Sequence, residues 1–240
     1  MTEKAELAEL TGRQLKKRIR HLMASDADTG EVLAALDGLA PRVAVNPLFA
    51  CFYDMAPRIK WRAIAAMGYV VSRLAEHEME SARVVMRRLM WNLNDESGGI
   101  GWGSPEAMGE IMAQNPKMAE EYGSILTSYI QQGKNFLEHE ALQRGSIWGV
   151  GRLAQSHPGL VADAADDLRL FLGSSDPYHR GYAAWALGNI KDRRAVTELE
   201  RLAADPAEID IFRQQALQTT EVGLLAKEAL AAIAGEESSC

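Results

Sequence analysis

The sequence predicts an all-α protein, a right-handed α-solenoid of stacked helical hairpins. Three observations carry the prediction. Apolar residues recur at helical spacing, prolines stand where helices would begin, and a glycine-centred pattern returns about every 40 residues. Each element can be justified in order.

The prolines punctuate the chain. In Asn46-Pro47, Ser104-Pro105, Asn115-Pro116, Asp176-Pro177 and Asp205-Pro206, the first residue can cap free N–H groups of a helix start. The proline then brings a preset φ to a position that needs no donor. Between these marks the apolar residues share helix faces, as with Leu15, Ile19, Leu22 and Met23, or Val84, Val85, Leu89 and Leu93. No segment shows sustained strand alternation, so about a dozen helices with short connections are expected.

The repeat is anchored on four helical glycines, Gly68, Gly109, Gly151 and Gly188, which fall 41, 42 and 37 residues apart. Two positions before each anchor stands a small residue: Ala66, Ala107, Gly149 or Ala186. Two positions after it stands Val70, Ile111, Leu153 or Ile190. Small residues let neighbouring helices approach, and large ones fill the space between layers. Each anchor helix follows a second amphipathic segment, near Asn46–Asp54, Glu78–Leu93, Met118–Gln132 and Leu160–Leu172. A degenerate pair, Ala195–Ala204 and a final helix near Phe212–Ile233, would cap the array. The expected organisation is a helical cap over 1–40, a repeat array of about five pairs over 41–234, and a polar tail over 235–240.

Helix pairs of this length, with a small residue and glycine in the second helix, resemble HEAT repeats over roughly residues 41–234. The segment from Asp176 to Ile190 resembles the short HEAT-like variety of phycobilisome lyases. The stretch Trp91–Trp102 is similar to a group of small uncharacterised bacterial HEAT proteins. The resemblance implies the fold; the lyase analogy implies, as an alternative function, an enzyme or cofactor-handling role.

Composition bounds function. The 240 residues are 47% hydrophobic, ample for a core, and only 7% aromatic. With 33 acidic and 26 basic residues the formal charge is −7. That field repels phosphate backbones, so no nucleic-acid partner is expected. Cys51 lies in an apolar run and Cys240 ends a polar tail. They make no disulfide framework, which fits a reducing, cytoplasmic setting. Met1–Leu10 lacks a secretory apolar region, and Ala63–Val71 is too short to span a bilayer, so no membrane association is expected.

Four regions are candidate sites. The first is the loop from Asn94 to Ser104, with Gly98, Gly99, Gly101 and Gly103. A glycine cluster marks unusual backbone angles or a close approach. The loop lacks the residues of a phosphate cradle, and Ile100 occupies the position where a calcium loop needs glycine. Either it is a connector that tucks Trp102 into the core, or it is a partner site built from Asn94, Asp95, Glu96 and Trp102. The second is the acidic helix start behind it, with Glu106 and Glu110 on one face. These are helix-start carboxylates or a patch for a basic partner. The third is Glu138, His139 and Glu140 followed by Arg144 and Trp148, where adjacent residues do not share a helix face and a metal triad is poor geometry. The fourth is Arg13–Arg20, five basic and no acidic residues, either a solvated face or a contact for an acidic partner.

Trp61 and Trp102 lie seven residues before an anchor glycine, and Trp148 and Trp185 lie three before it. The two positions share a helix face, so the indoles are read as interlayer core or as an aromatic row. No nucleophile setting, clustered metal ligands or nucleotide motif stands out, and no catalytic residue, metal or cofactor is assigned. The expected function is a non-catalytic protein-interaction or scaffold module whose partner presents a basic segment to the acidic Gly-rich loop.

Overall fold

The computed structural model describes residues 10–94 and 101–235. The chain divides into an N-terminal unit, residues 1–115 with 212–217, and a C-terminal unit, residues 116–211 with 218–240.

Among the described residues the N-terminal unit holds six α-helices: α1 (Gly12–Ala24), α2 (Thr29–Ala35), α3 (Pro41–Cys51), α4 (Pro57–His77), α5 (Met79–Leu93) and α6 (Ser104–Gln114). Pro41, Pro57 and Pro105 stand in the first turns of α3, α4 and α6, as their preset φ favours. Asp28 begins α2 with a capping box, its side chain accepting from the Glu31 N–H while Glu31 reaches back. Pro47 departs from the expectation of a helix start. It sits inside α3, which begins six residues earlier at Pro41. The carbonyl that loses its partner to Pro47 belongs to Val43, an exposed residue.

α4 is the spine of this unit and is buried along most of its length. Its Arg62 is itself buried and closes the end of α1. The guanidinium donates to the carbonyls of Met23, Ser25 and Ala27 at 3.2, 2.7 and 2.5 Å. A cation at the last turn of α1, where Met23 is an acceptor, offsets the negative end of the helix dipole.

The C-terminal unit holds α7 (Pro116–Ser128), α8 (Glu140–Ser156), α9 (Ala165–Phe171), α10 (Pro177–Ile190), α11 (Val196–Leu202) and α12 (Val222–Ala234). α8 and α10 pack along one another, and α10 packs in turn on α12. The expected helix over Leu160–Leu172 is realised as two 3-10 turns leading into the shorter α9.

The end of the array corrects the sequence reading. Residues Glu208–Arg213 and Ala216–Glu221 form β1 and β2, an antiparallel hairpin, and α12 starts only at Val222. Asp205-Pro206 thus precedes a strand and not a helix. The alternation is present in Glu208-Ile209-Asp210-Ile211, where Ile209 and Ile211 are buried. The turn carries Gln214 and Gln215 at φ 52° and 61°. That geometry matches a two-residue type I′ turn, usually written Asn-Gly, so its sequence signal is missing here. Residues 212–217 belong to the N-terminal unit, where Phe212 stacks on Trp61 with centroids 5.5 Å apart and planes 4° apart. Thr29 Oγ1 donates to the Gln215 carbonyl at 2.6 Å.

Three of the anchor glycines, Gly68, Gly151 and Gly188, sit at close helix contacts. A Cβ on Gly151 would come within 2.7 Å of the Trp185 ring, and one on Gly188 within 2.7 Å of the Ala229 Cα. On Gly68 it would meet the Glu110 Cγ at 2.6 Å and the Gln114 Nε2 at 2.7 Å. Real Cβ atoms do not approach so closely, so glycine is what permits these crossings.

Candidate functional site

The exit of the Gly-rich loop is built by backbone constraints. Gly103 has φ 78°, and a Cβ there would also lie 2.9 Å from the Phe52 ring. Both the angle and the contact require glycine. Gly101 closes on α5, where a Cβ would meet the Asn92 carbonyl oxygen and the Leu93 side chain at 2.8 Å. The close approach expected of these glycines is therefore made to the protein's own helices. Asp95 and Glu96, with Gly98 and Gly99, lie outside the described residues.

Between Gly101 and Gly103 the chain projects Trp102, a residue that is 37% exposed. The core placement considered for this indole is not the one observed. The other repeat tryptophans are core residues: Trp61 and Trp185 are buried, and Trp148 is fully buried against Trp185 with centroids 6.0 Å apart. Trp148 thus presents nothing to a partner, and its candidacy as a contact is corrected by its burial.

The acidic helix start also turns inward. Glu106 is 3% exposed and accepts from Lys60 Nζ at 3.0 Å. Glu110 is buried beside Gly68 and accepts from Gln114 Nε2 at 3.3 Å. These carboxylates join α4 to α6, so of the expected acidic rim the described part serves the fold. Asn94 and Trp102 remain at the surface.

In the C-terminal unit Glu138 and His139 are exposed, and His139 occupies the N-cap of α8 without a side-chain cap bond. Arg144 points elsewhere. Its Nε donates to Asp176 at 2.6 Å, and its guanidinium lies 4.8 Å from the centroid of Tyr178. Asp176 also accepts from the Tyr178 N–H and so caps α10. One repeat later Arg180 pairs with Asp205 at 2.7 Å, and Asp205 receives the Ala207 N–H. This arginine-to-aspartate ladder ties successive helix pairs together; the sequence reading saw Arg144 only as an i, i+4 partner of Glu140.

Ser174, His179 and Asp176 stand close together. Ser174 Oγ is 3.1 Å from His179 Nδ1, and His179 Nε2 is 3.5 Å from Asp176 Oδ2. Each member is engaged in the turn before α10. The serine oxygen accepts the Asp176 N–H, the aspartate holds Arg144, and the imidazole is buried. Burial lowers the His179 pKa from its ordinary value, with Asp176 opposing and Arg144 adding to the effect. The arrangement braces a helix start. Burial likewise pushes the Cys51 thiol up to about 11, which keeps it a protonated core residue. Among the described residues no group of three or more His, Cys, Asp or Glu could hold a metal ion. No helix of the described residues is long and apolar enough to cross a membrane.

Sequence reading missed Trp91, which is 73% exposed near the end of α5. The signal was there: the buried face of α5 runs through Ala82, Val85, Met86, Leu89 and Leu93, and Trp91 lies off it.

Comparison with known proteins agrees with this architecture. Residues 134–221 match the HEAT repeats family. An uncharacterised protein of Archaeoglobus fulgidus is 27% identical over 119 residues, 50% of this chain and 56% of that protein. The chain therefore spans little more than half the length of that relative. An engineered protein of known structure superposes with a TM-score of 0.59 at 17% identity, covering 98% of both chains. A designed armadillo repeat protein gives 0.54 at 18% identity, covering 96% of this chain and 98% of that one. Another, in complex with the peptide (KR)4, gives 0.54 at 17% identity over the same shares. Such identities speak for fold alone. The chain is an α-solenoid repeat protein, with HEAT-type repeats matched in residues 134–221.

Proposed function

We propose that this chain is a non-catalytic protein-interaction module, and that Trp102 is a contact for a basic segment of its partner. The observation that carries the reading is the exposure of Trp102, where the indoles that precede the other anchor glycines are buried. The indole is held on a turn that two glycine-only positions fix, so little side-chain or loop entropy is lost when a partner docks. An exposed tryptophan face attracts a Lys or Arg side chain, and the −7 charge of the chain adds a long-range pull on a basic segment. The designed armadillo neighbour that holds (KR)4 gives a precedent for basic-peptide capture on this architecture. Glu106, Glu110, Arg144, Asp176, His179 and Cys51 are engaged in capping, bridging helices or packing, which supports a scaffold over a catalytic reading.

The test is fluorescence anisotropy with a labelled (KR)4 peptide, on the full chain and on Trp102→Ala, at low and physiological salt. Loss of the indole is expected to weaken binding by roughly threefold to tenfold with an unchanged melting temperature. The wild-type affinity should rise as salt is lowered. Equal affinity of the two proteins at both salt concentrations would remove Trp102 from the binding surface.

A further inference from the structure

The N-terminal unit carries an open groove along α3 and α5. Two cavities of about 470 and 260 Å³ share Asn46 and Arg88 in their walls, and residues at the start of α1 line the larger one. The chemistry of the groove is opposite to that of the chain. The chain bears −7, yet among the described residues the groove walls hold three cations, Lys16, Arg42 and Arg88, and no carboxylate. Arg42 is answered by Glu78 and Ser81. Lys16 and Arg88 have no carboxylate partner among the described residues.

Arg88 is held in place before any ligand arrives. Its guanidinium lies 4.0 Å from the Phe49 ring centroid and donates to Asn46 Oδ1 at 2.5 Å. The rest of the donor fork is without a partner among the described residues. A stacked, oriented guanidinium loses less entropy on meeting a carboxylate than a free one does. Around it the wall is apolar and open: Val43, Tyr53 and Val84 are all exposed. Val84, Arg88 and Trp91 follow one stripe of α5 at helical spacing, all on its outward side.

We propose that this groove docks an acidic, amphipathic peptide segment of a partner protein. A carboxylate of the segment sits on Arg88 and Lys16, and its apolar side chains cover Val43, Tyr53 and Val84. A nucleic-acid backbone would match the cations but leave the apolar wall uncovered, and it would meet the net negative field of the chain. A peptide satisfies both parts of the wall. The groove is distinct in place and in charge from the Trp102 contact, so the two readings stand or fall separately.

The experiment pans a random-peptide phage library on the full chain. An enriched peptide is then synthesised with a fluorophore and titrated against wild type, Lys16→Glu, Arg88→Gln, Arg88→Glu and Trp102→Ala, with a melting curve for each. The expected consensus pairs Asp or Glu with large apolar residues. Charge reversal at Arg88 or Lys16 should weaken that peptide about tenfold or more, with a smaller loss for Arg88→Gln and none for Trp102→Ala. Arg88 packs on Phe49 and its variants can lower stability; Lys16 makes no such contact, so Lys16→Glu keeps the test decisive. Polyglutamate and single-stranded RNA should compete poorly. The proposal is overturned by a neutral or basic consensus, by no enrichment, or by binding that both reversals leave intact. Competition by polyglutamate or RNA equal to that of the peptide overturns it as well. A peptide lost only in Trp102→Ala overturns this groove and supports the Trp102 surface.

Discussion

The two units follow one repeat pattern and differ in what they put at equivalent places. In the C-terminal unit Gly188 faces the backbone at Ala229, and Gly151 faces the Trp185 ring. Arg144 and Arg180 run to Asp176 and Asp205, and Trp148 and Trp185 are sealed inside. In the N-terminal unit Gly68 faces the side chains of Glu110 and Gln114, and the place of Arg180 is taken by Lys60, paired with Glu106. Its Trp91 and Trp102 are at the surface, and α3 and α5 frame an open groove. The regular repeat closes its chemistry inward. The irregular repeat leaves chemistry on the outside, which is why both proposed contacts fall there.

The largest effect should come from filling the anchor glycines with leucine. At Gly188 the obstacle is backbone, which cannot swing away, and a loss of about 3 kcal/mol is expected. At Gly68 the obstacles are mainly side chains that can move, and the loss should be roughly 1 kcal/mol. Urea denaturation of both variants measures the difference. Equal losses would mean that the N-terminal layers are as rigid as the C-terminal ones.

A smaller effect is expected at the ladder. Asp176→Ala removes an N-cap and a charged hydrogen bond at once, and should cost roughly 2 kcal/mol. Its contrast in the N-terminal unit is Asp26, which bridges Arg58 at 3.2 Å from a fully solvated position. Asp26→Ala should leave the melting temperature within error, since exposed pairs contribute little. A loss at Asp26 matching that at Asp176 would show that surface pairing, and not capping, holds the helix starts.

These contrasts also explain how far the sequence could be read. The solenoid class, the anchor glycines and most proline-led helix starts follow from spacing and backbone chemistry, which are local. The hairpin at 208–221 escaped because Gln214-Gln215 adopts a turn that its residue types do not announce, and because Phe212 and Ala216–Leu217 extend an apolar pattern that reads as helix. Pro47 escaped because a proline is better tolerated inside a helix where the freed carbonyl belongs to an exposed residue, here Val43. Among candidate site residues, Trp102 and Trp148 stand on the same nominal helix face. Only the three-dimensional neighbours separate them: Trp185 covers Trp148, while Gly101 and Gly103 push Trp102 outward. The groove required knowing that α3 and α5 present Asn46 and Arg88 to a common space, a tertiary fact with no linear signature.

The smallest predicted effect concerns one position nine residues before the anchor. It holds Ile59 ahead of Gly68 and Leu142 ahead of Gly151, but His179 ahead of Gly188, and all three side chains are buried. Burial is the leading reason that the His179 pKa falls below its ordinary 6.5. Arg144 pushes it the same way, while Asp176 and Glu140 oppose. The folded state therefore holds a neutral imidazole at pH values where the unfolded chain has begun to bind a proton. Since the unfolded state binds more protons in that window, stability from this group is fully present above about pH 6.5 and declines as pH falls toward the lower folded value. His179→Leu restores the residue type of the other repeats and removes the titration. Its stability, measured by urea denaturation from neutral to mildly acidic pH, should decline less steeply than that of wild type. The absolute stability can shift in either direction, because the Ser174 hydrogen bond is lost while an apolar side chain is gained. The slope difference is the readout. Parallel slopes for the two proteins would mean that His179 titrates alike folded and unfolded, and that this polar exception in the regular repeat carries no pH dependence.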